Sequence, residues 1–209
     1  MIYSVDNHTA PLHTPINKGK ESMAYLTYVI DNYHRLPNIS IFLHAHKEGF
    51  PAAWHTDVEG YSNVASVRLL RQDTVRARGY VNLRCNWVPG CPDEIQPFRT
   101  TDAHRTSEHQ FVAAWKALFG PEVEVPRTIG STCCAQFAVT REAIQKRTLQ
   151  EYQRYRQWLI ETKLDDELSG RIFEYLWHII FGREAVVCPI YEVCQCDVYG
   201  LGCNEGTSR

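Results

Sequence analysis

The segment Ile39-Ser40-Ile41-Phe42-Leu43-His44-Ala45-His46 decides the predicted fold. Its β-branched and aromatic residues predict a buried strand over residues 39–43. Leu36-Pro37 ends the helical pattern before it, because the residue that precedes a proline avoids the helical region. Alternate residues of a strand share a face, so His44 and His46 are expected to reach one ligand at the carboxyl end of this strand.

Patterns typical of helices and strands alternate on either side of this strand. Apolar residues at helical spacing predict helices, and short apolar runs predict further buried strands. The predicted helices span residues 17–33, 62–70, 107–119, 141–162 and 170–181, and the further strands span 80–83 and 135–139. This alternation predicts an α/β fold with a mainly parallel, Rossmann-like sheet flanked by helices. Ligands bind such sheets beyond the carboxyl ends of the strands.

Composition is that of an ordinary globular chain. Its 209 residues predict a single α/β catalytic domain over 1–187 with a cysteine-rich tail over 188–209 packed on it. The net charge of −2, from 22 basic and 24 acidic residues, restricts any RNA contact to a local patch. No apolar run is long enough to span a membrane, and residues 1–10 lack a signal-peptide pattern. We therefore expect a cytoplasmic protein with no membrane contact and no protein partner.

The loop Asn17-Lys18-Gly19-Lys20-Glu21 opens the first predicted helix. Free backbone N–H groups and the helix dipole attract anions at such a junction, and two lysines strengthen that attraction. Glycine allows a ligand to approach the backbone closely. The alternative is a plain helix start whose lysines are solvated.

Histidines at the end of the first strand form the second candidate site. Imidazoles bind metals and transfer protons, so His44 and His46 are candidates for either role. A catalytic metal needs a third protein ligand, for which His55 is the obvious local candidate. Alternatively, one histidine satisfies a buried hydrogen bond and the other is solvated. We predict substrate contact, with no metal and no cofactor.

An acidic segment and the helix after it form the third candidate site. Asp165 and Asp166 suit a cationic group such as a guanidinium. Glu174 and His178 are four residues apart, with Arg171 one turn earlier, so on one continuous helix they share a face. A carboxylate beside an imidazole is a workable general base. The alternative is a surface ion pair on a helix whose acids favour its N-terminus.

Cysteines are concentrated in the tail. Cys188, Cys194, Cys196 and Cys203 contain no C-x-x-C pair, so a standard zinc knuckle is excluded. A structural role is expected for them, through disulfides or a nonstandard zinc site. Cys133-Cys134 adjoin Gln136 on a predicted strand and are interpreted as buried packing residues.

Several motifs together resemble a large, mostly fungal family that is catalogued as a domain of unknown function. The resemblance extends from about Asn17 to Cys203. The motifs are residues 17–21 (NKGxE), 25–33 (YLTYVIDNY), 36–37 (LP), 41–46 (IFLHxH), 79–85 (GYVNLRC), 133–139 (CCAQFAV) and 175–182 (YxWHIIFG). That family is similar to GT-A glycosyltransferases, which bind a nucleotide-sugar over a Rossmann-like sheet. In those enzymes an Asp-x-Asp at a strand end holds a divalent metal, whereas His44-Ala45-His46 stands at the matching position here.

Arginine-containing cyclodipeptide synthases also look like members of this family. The resemblance implies condensation of arginyl-tRNA with a second aminoacyl-tRNA and release of a diketopiperazine. Those synthases are associated with an Asp-Asp-x-x-Glu motif. This chain matches it with Asp165 and Asp166, but position 169 is serine and the next acid on the helix is Glu174.

The leading hypothesis is therefore a tRNA-dependent cyclodipeptide synthase with aminoacyl-tRNAs as partners. Glu174 is the expected base that takes a proton from the attacking α-amine, assisted by His178. Asp165 and Asp166 are expected to hold the arginine side chain. Further substrate contacts are assigned to Asn17, Lys18, Glu21, His44, His46 and Gln136, and tRNA contacts to Lys18 and Lys20. One alternative is a glycosyltransferase-like enzyme in which Glu174 deprotonates an acceptor hydroxyl, and another is a non-catalytic binding domain.

Overall fold

A computed structural model describes residues 1–100, 105 and 107–203 of the chain. Helices and short strands alternate along most of it. The helices are α1 Glu21–Asn32, α2 Asn63–Leu69, α3 Gln72–Arg78, α4 Glu108–Phe119, α5 Arg141–Ile144, α6 Leu149–Glu161, α7 Asp166–Glu174, α8 Trp177–Ile180 and α9 Tyr191–Tyr199. The strands are β1 Ile39–Phe42, β2 Tyr80–Asn82, β3 Gly130–Ser131, β4 Phe137–Thr140 and β5 Val186–Val187.

The central sheet has three strands in the order β1-β4-β2. β4 is antiparallel to both neighbours, and Phe137 lies opposite Phe42 on one side and Asn82 on the other. The described parallel strands are β3 and β5, which form a separate two-stranded sheet. The α/β class is thus confirmed, but the prediction of a mainly parallel sheet is wrong. Alternation of helices and strands does not fix direction when, as here, the central strand comes last of the three in the chain.

Aromatic side chains fill the core between the sheet and the helices. The ring of Phe137 on β4 lies 4.9 Å from Phe42 on β1 and 5.7 Å from Trp177 on α8, measured between ring centroids. Tyr25 of α1 is 5.9 Å from Trp177. These offset and tilted contacts fix α1 and α8 on one face of the sheet. The N-terminus of α1 and the C-terminus of α7 are thereby held near the end of β1.

Two predicted helices are interrupted in the structure. The helix predicted over 141–162 divides into α5 and α6, because Thr148 forms a reciprocal capping box with Glu151 and starts a new helix. The helix predicted over 170–181 begins earlier, with Asp165 as its N-cap, and breaks after Glu174. By contrast, the helix predicted over 62–70 is observed as α2, and Ser62 caps it by accepting a hydrogen bond from the Ala65 N–H.

Disulfide bonds join all eight cysteines in pairs. Cys85–Cys194 and Cys91–Cys188 tie the C-terminal tail to the body of the fold, across 109 and 97 residues of sequence. Cys196–Cys203 closes a short loop within the tail. Cys133 and Cys134 are buried, as expected of packing residues, but they are also bonded to each other. The tail is therefore a disulfide-stapled part of the fold rather than a zinc site.

The disulfides correct the predicted localisation. Disulfides form and persist in oxidising environments and are rare in the cytosol. Four of them in one chain indicate an oxidising, secreted or extracellular setting, and the cytoplasmic prediction is wrong. Among the described helices, none is both long enough and apolar enough to cross a membrane.

Removing the long-range disulfide should cost more stability than removing the short one. A bridge stabilises mainly by restricting the unfolded chain, by about 4.7 kcal/mol for a loop of ~100 residues and about 2.5 kcal/mol for one of ~8. Urea unfolding of Cys85→Ala/Cys194→Ala is therefore expected to show a larger loss than that of the control Cys196→Ala/Cys203→Ala. Equal stability of both variants and the parent chain would contradict the pairing.

Candidate active site

Four separate segments of the chain meet beyond the end of β1. They contribute Glu21 from the first turn of α1, His44 after β1, Gln136 before β4 and Glu174 at the end of α7. Oε2 of Glu21 lies 3.8 Å from Nε2 of His44, and the His44 N–H donates to Oε1 of Gln136 at 2.9 Å. The structure therefore brings together four residues that the sequence assigned to substrate binding or catalysis.

Three histidines form a cluster at this site. The ring centroid of His44 lies 4.6 Å from that of His55 and 6.4 Å from that of His46, and His46 and His55 are 5.8 Å apart. Burial, followed by the neighbouring His55 and His46, lowers the pKa of His44 to about 4. Burial also lowers the pKa of His55. His44 is therefore a neutral imidazole at neutral pH.

Hydrogen bonds from buried polar residues hold the histidine segment in place. Nε2 of Gln136 donates to Oγ1 of Thr56 at 3.4 Å, and Thr56 donates to Oδ1 of Asn63 at 2.8 Å. Nδ2 of Asn63 then donates to the carbonyl oxygen of His46 at 2.7 Å. This chain of bonds connects β4 to the loop after β1, so it fixes the backbone on which His44 and His46 stand.

Glu174 is a buried carboxylate with two oriented partners. Its Oε1 accepts the Cys134 N–H at 2.6 Å, and its Oε2 lies 3.3 Å from Nε of Arg171. Burial raises the pKa of Glu174, while Arg171 and the Cys134 N–H oppose that shift. Both partners favour the ionised form and leave carboxylate lone pairs available for a substrate proton.

A vicinal disulfide shapes the backbone that contacts Glu174. Cys134 has a φ of 83° and the next residue, Ala135, a φ of 47°, both in the left-handed region that few non-glycine residues adopt. Non-glycine residues in this region raise the conformational free energy of the folded chain, and such residues cluster at functional sites. Here they direct the Cys134 N–H at Glu174 and place Gln136 beneath His44. The adjacent pair Cys133-Cys134 was the sequence signal for this feature, although it was interpreted as packing.

Glu21 is the second carboxylate of the site. Burial raises its pKa to about 7, the backbone N–H at the start of α1 opposes the shift, and the like charge of Glu174 adds to it. Glu174 forms an ion pair with Arg171, and the charge of Arg171 also opposes the rise in the pKa of Glu21. The site therefore holds two buried carboxylates whose pKa values are both raised, and near neutral pH Glu21 is partly protonated, a combination suited to acid–base chemistry.

Cys133, Cys134 and Glu174 offer ligand atoms that all lie within 4.8 Å of one another. Among the described residues, this is the group close enough to surround a metal without movement. Its two sulfurs are joined to each other, however, and a metal binds thiolates. In the oxidised chain this group is therefore not a metal site.

In the loop predicted to bind an anion, the Gly19 N–H and the Lys18 ammonium already have hydrogen-bond partners within the protein. The Gly19 N–H donates to Oδ1 of Asp166 at 3.3 Å, and Nζ of Lys18 donates to the carbonyl oxygen of Thr162. A Cβ on Gly19 would lie 2.6 Å from Cδ1 of Leu159, so the glycine permits close packing against α6 rather than approach of a ligand. Lys20 is the exposed lysine of the loop.

Asn17, Asp165 and Asp166 also have structural partners. Nδ2 of Asn17 donates to Oδ1 of Asp6 at 2.9 Å. Asp165 accepts the Leu168 N–H at 2.8 Å as the N-cap of α7. Since Asp166 binds Gly19, the acidic pair connects α7 to α1 and does not present two free carboxylates side by side.

The expected pairing of Glu174 with His178 is wrong. The helix breaks at Tyr175 and Leu176, so the two residues lie on different helices and the four-residue spacing no longer places them on one face. His178 is fully buried, and its Nε2 is 3.1 Å from the carbonyl oxygen of Ala185. Its role is to connect α8 with the segment before β5.

The comparisons with known proteins define the family. Residues 1–197 match the model described as protein of unknown function (DUF3431). The chain belongs to this family. No curated protein and no solved structure matches it. Family membership thus accounts for nearly the whole chain and leaves the activity to be inferred from the site.

His178 should make the fold acid-sensitive. Burial lowers its pKa from 6.5 to about 4, so the folded chain excludes a proton that the unfolded chain binds below pH 6.5. Its contribution to stability is complete above pH 6.5 and is lost as the pH falls towards 4, at about 1.4 kcal/mol per pH unit. Denaturant unfolding at several pH values should show a flatter dependence for His178→Gln than for the parent chain. Parallel curves would contradict this assignment.

Proposed function

We propose that this protein is a group-transfer enzyme in which Glu174 takes a proton from an incoming nucleophile. The observation that supports this is the buried Glu174 carboxylate, which is oriented by the Cys134 N–H and Arg171 and interacts electrostatically with Glu21. A general base needs a fixed position and a raised pKa, and both are features of Glu174.

The histidines and Gln136 supply the rest of the binding site. His44 is neutral and can accept or donate a hydrogen bond to a polar substrate, according to its tautomer. Its backbone is fixed by Gln136, so the imidazole is presented in a defined position. A substrate bound between these imidazoles and Glu174 would meet a positioned base and few mobile groups, which is the arrangement that proximity effects require.

The favoured reaction is glycosyl transfer from a nucleotide-sugar to a hydroxyl group. The acceptor oxygen bonds to the anomeric carbon, the bond from that carbon to the diphosphate breaks, and the hydroxyl proton passes to Glu174. Two arguments favour this donor: the resemblance of the sequence motifs to a family similar to GT-A glycosyltransferases, and disulfides that suit a lumenal or extracellular enzyme. The antiparallel central sheet provides no independent support for a GT-A fold.

A second candidate is the arginine-containing cyclodipeptide synthase. It is favoured by a cavity of about 640 Å³ whose charged lining residues are four acids and two arginines: Glu94, Glu108, Asp165, Glu167, Arg105 and Arg171. Carboxylates there suit a guanidinium, and Arg171 connects the cavity to Glu174. In this reaction Glu174 would take a proton from an α-amine as it displaces tRNA from an aminoacyl ester. It ranks second because aminoacyl-tRNA belongs to the cytosol and the disulfides indicate an oxidising compartment.

Both reactions can be tested on one preparation of oxidised, purified protein. A panel of nucleotide-sugars is supplied with and without hydroxyl acceptors, and release of nucleoside diphosphate is measured. A parallel reaction contains arginyl-tRNA and mixed aminoacyl-tRNAs, and diketopiperazines are detected by mass spectrometry. Nucleoside diphosphate release supports glycosyl transfer, whereas a cyclic arginine product supports the second candidate. No turnover of either kind would contradict the enzyme proposal and favour a non-catalytic binding domain.

Glu174→Gln should abolish most of the activity without unfolding the chain. The amide can still accept the Cys134 N–H but cannot take a proton, so kcat is expected to fall by about 10²- to 10⁴-fold. The matched control is Glu122→Gln, at an exposed acid outside the site, which should retain full activity. Unchanged kcat in Glu174→Gln, measured on protein with an unaltered unfolding midpoint, would remove Glu174 from the mechanism.

A further inference from the structure

Two buried imidazole nitrogens at the site have no hydrogen-bond partner. Nε2 of His44 and Nε2 of His55 are both inaccessible to solvent, and neither contacts a donor or acceptor among the described residues. His55 as a whole is only 4% exposed. Buried polar atoms in native proteins are almost always paired, and an unpaired one points to a water or an ion. The centroids of the two rings are 4.6 Å apart, so both unpaired nitrogens belong to one cluster.

A carboxylate lies beside these nitrogens. Oε2 of Glu21 is 3.8 Å from Nε2 of His44, which is too far for a hydrogen bond. Ligand atoms at 2.0–2.1 Å from one tetrahedral zinc ion are roughly 3.3–3.5 Å apart. These two atoms therefore need to approach by only about 0.4 Å to share a metal. His55 has to move further, because the ligand atoms of the three residues do not all lie within 4.8 Å of one another. Imidazole nitrogen and carboxylate oxygen are both ordinary ligands of zinc and of neighbouring first-row cations.

The surroundings support these residues as ligands. The His44 backbone is anchored by Gln136, and the His46 carbonyl by Asn63, so the segment that carries both rings is held from β4. Such supporting contacts orient metal ligands in known sites. His46 is exposed and lies at the open side of the cluster.

We propose that His44, His55 and Glu21 bind one divalent first-row cation of the zinc type, with His46 at the solvent side of the site. Three protein ligands leave a coordination position open, as in catalytic zinc sites. If the proposed glycosyl transfer is correct, that position suits a phosphate or hydroxyl oxygen of the substrate. Cation binding itself does not depend on the proposed function, because it needs no substrate.

The test uses the full, oxidised chain without an affinity tag. Protein treated with a chelator is dialysed against Zn²⁺ and then against metal-free buffer, and bound metal is determined by mass spectrometry. Binding of Co²⁺ is followed separately by visible absorption, which reports the geometry of the ligands. A single bound equivalent is expected, with a rise in the thermal unfolding midpoint.

Ligand variants identify the site. His55→Gln and Glu21→Gln should each weaken binding by at least about 100-fold, beyond the ~10- to 100-fold loss that follows removal of a supporting group. Glu21→Gln is nearly isosteric, so it remains informative if His55→Gln fails to fold. The matched control is His8→Gln/His13→Gln, which removes a pair of exposed histidine rings 6.1 Å apart elsewhere on the surface. This control should bind metal like the parent chain.

Three outcomes would overturn the proposal. They are no bound metal after dialysis, loss of binding in the His8→Gln/His13→Gln control, and full binding in both His55→Gln and Glu21→Gln. Glu174→Gln separates this proposal from the proposed function. It should retain the metal even though it loses turnover, because Glu174 is not one of the ligands.

Discussion

Antiparallel pairing of β1 with β4 is the constraint on which the site depends. With Phe137 opposite Phe42, the residues after β1 and before β4 emerge at the same end of the sheet. Gln136 can then bind the His44 N–H, and Cys134 can donate to Glu174. If the pairing register of β1 and β4 shifted by one residue, every side chain of the shifted strand would turn to the other face of the sheet and these groups would separate. The buried Phe42–Phe137 contact therefore secures both the core and the site.

Disulfides extend this constraint to the C-terminal part of the chain and set the chemical environment. Cys85–Cys194 and Cys91–Cys188 close loops of about a hundred residues, so the tail is part of the fold. Their number also places the protein in an oxidising setting, which favours a nucleotide-sugar over aminoacyl-tRNA as the donor. The vicinal disulfide Cys133–Cys134 has a different role. It lies in the backbone segment whose N–H orients Glu174.

Local patterns in the sequence predicted much of the fold. Features that depend on contacts between distant segments could not be predicted from it. The strand over Ile39–Phe42 and the helix over Asn63–Leu69 follow from side-chain type and spacing. The start of α6 was also readable, since Thr148 and Glu151 form a capping-box pattern that was overlooked. Strand direction and cysteine pairing depend on which distant segments meet, and eight cysteines allow about 105 connectivities. The pairing of Glu174 with His178 failed because a helix break removes the assumed periodicity.

The central claim is that Glu21 and Glu174, from opposite ends of the chain, share one buried site. Carbon-13 NMR of glutamate-labelled, metal-free protein measures it directly by titrating the Glu21 carboxyl in the parent chain and in Glu174→Gln. The account predicts a pKa of about 7 for Glu21 in the parent chain. It also predicts a lower pKa in the variant, because a nearby like charge has been removed. An ordinary Glu21 pKa that does not respond to the substitution would contradict it.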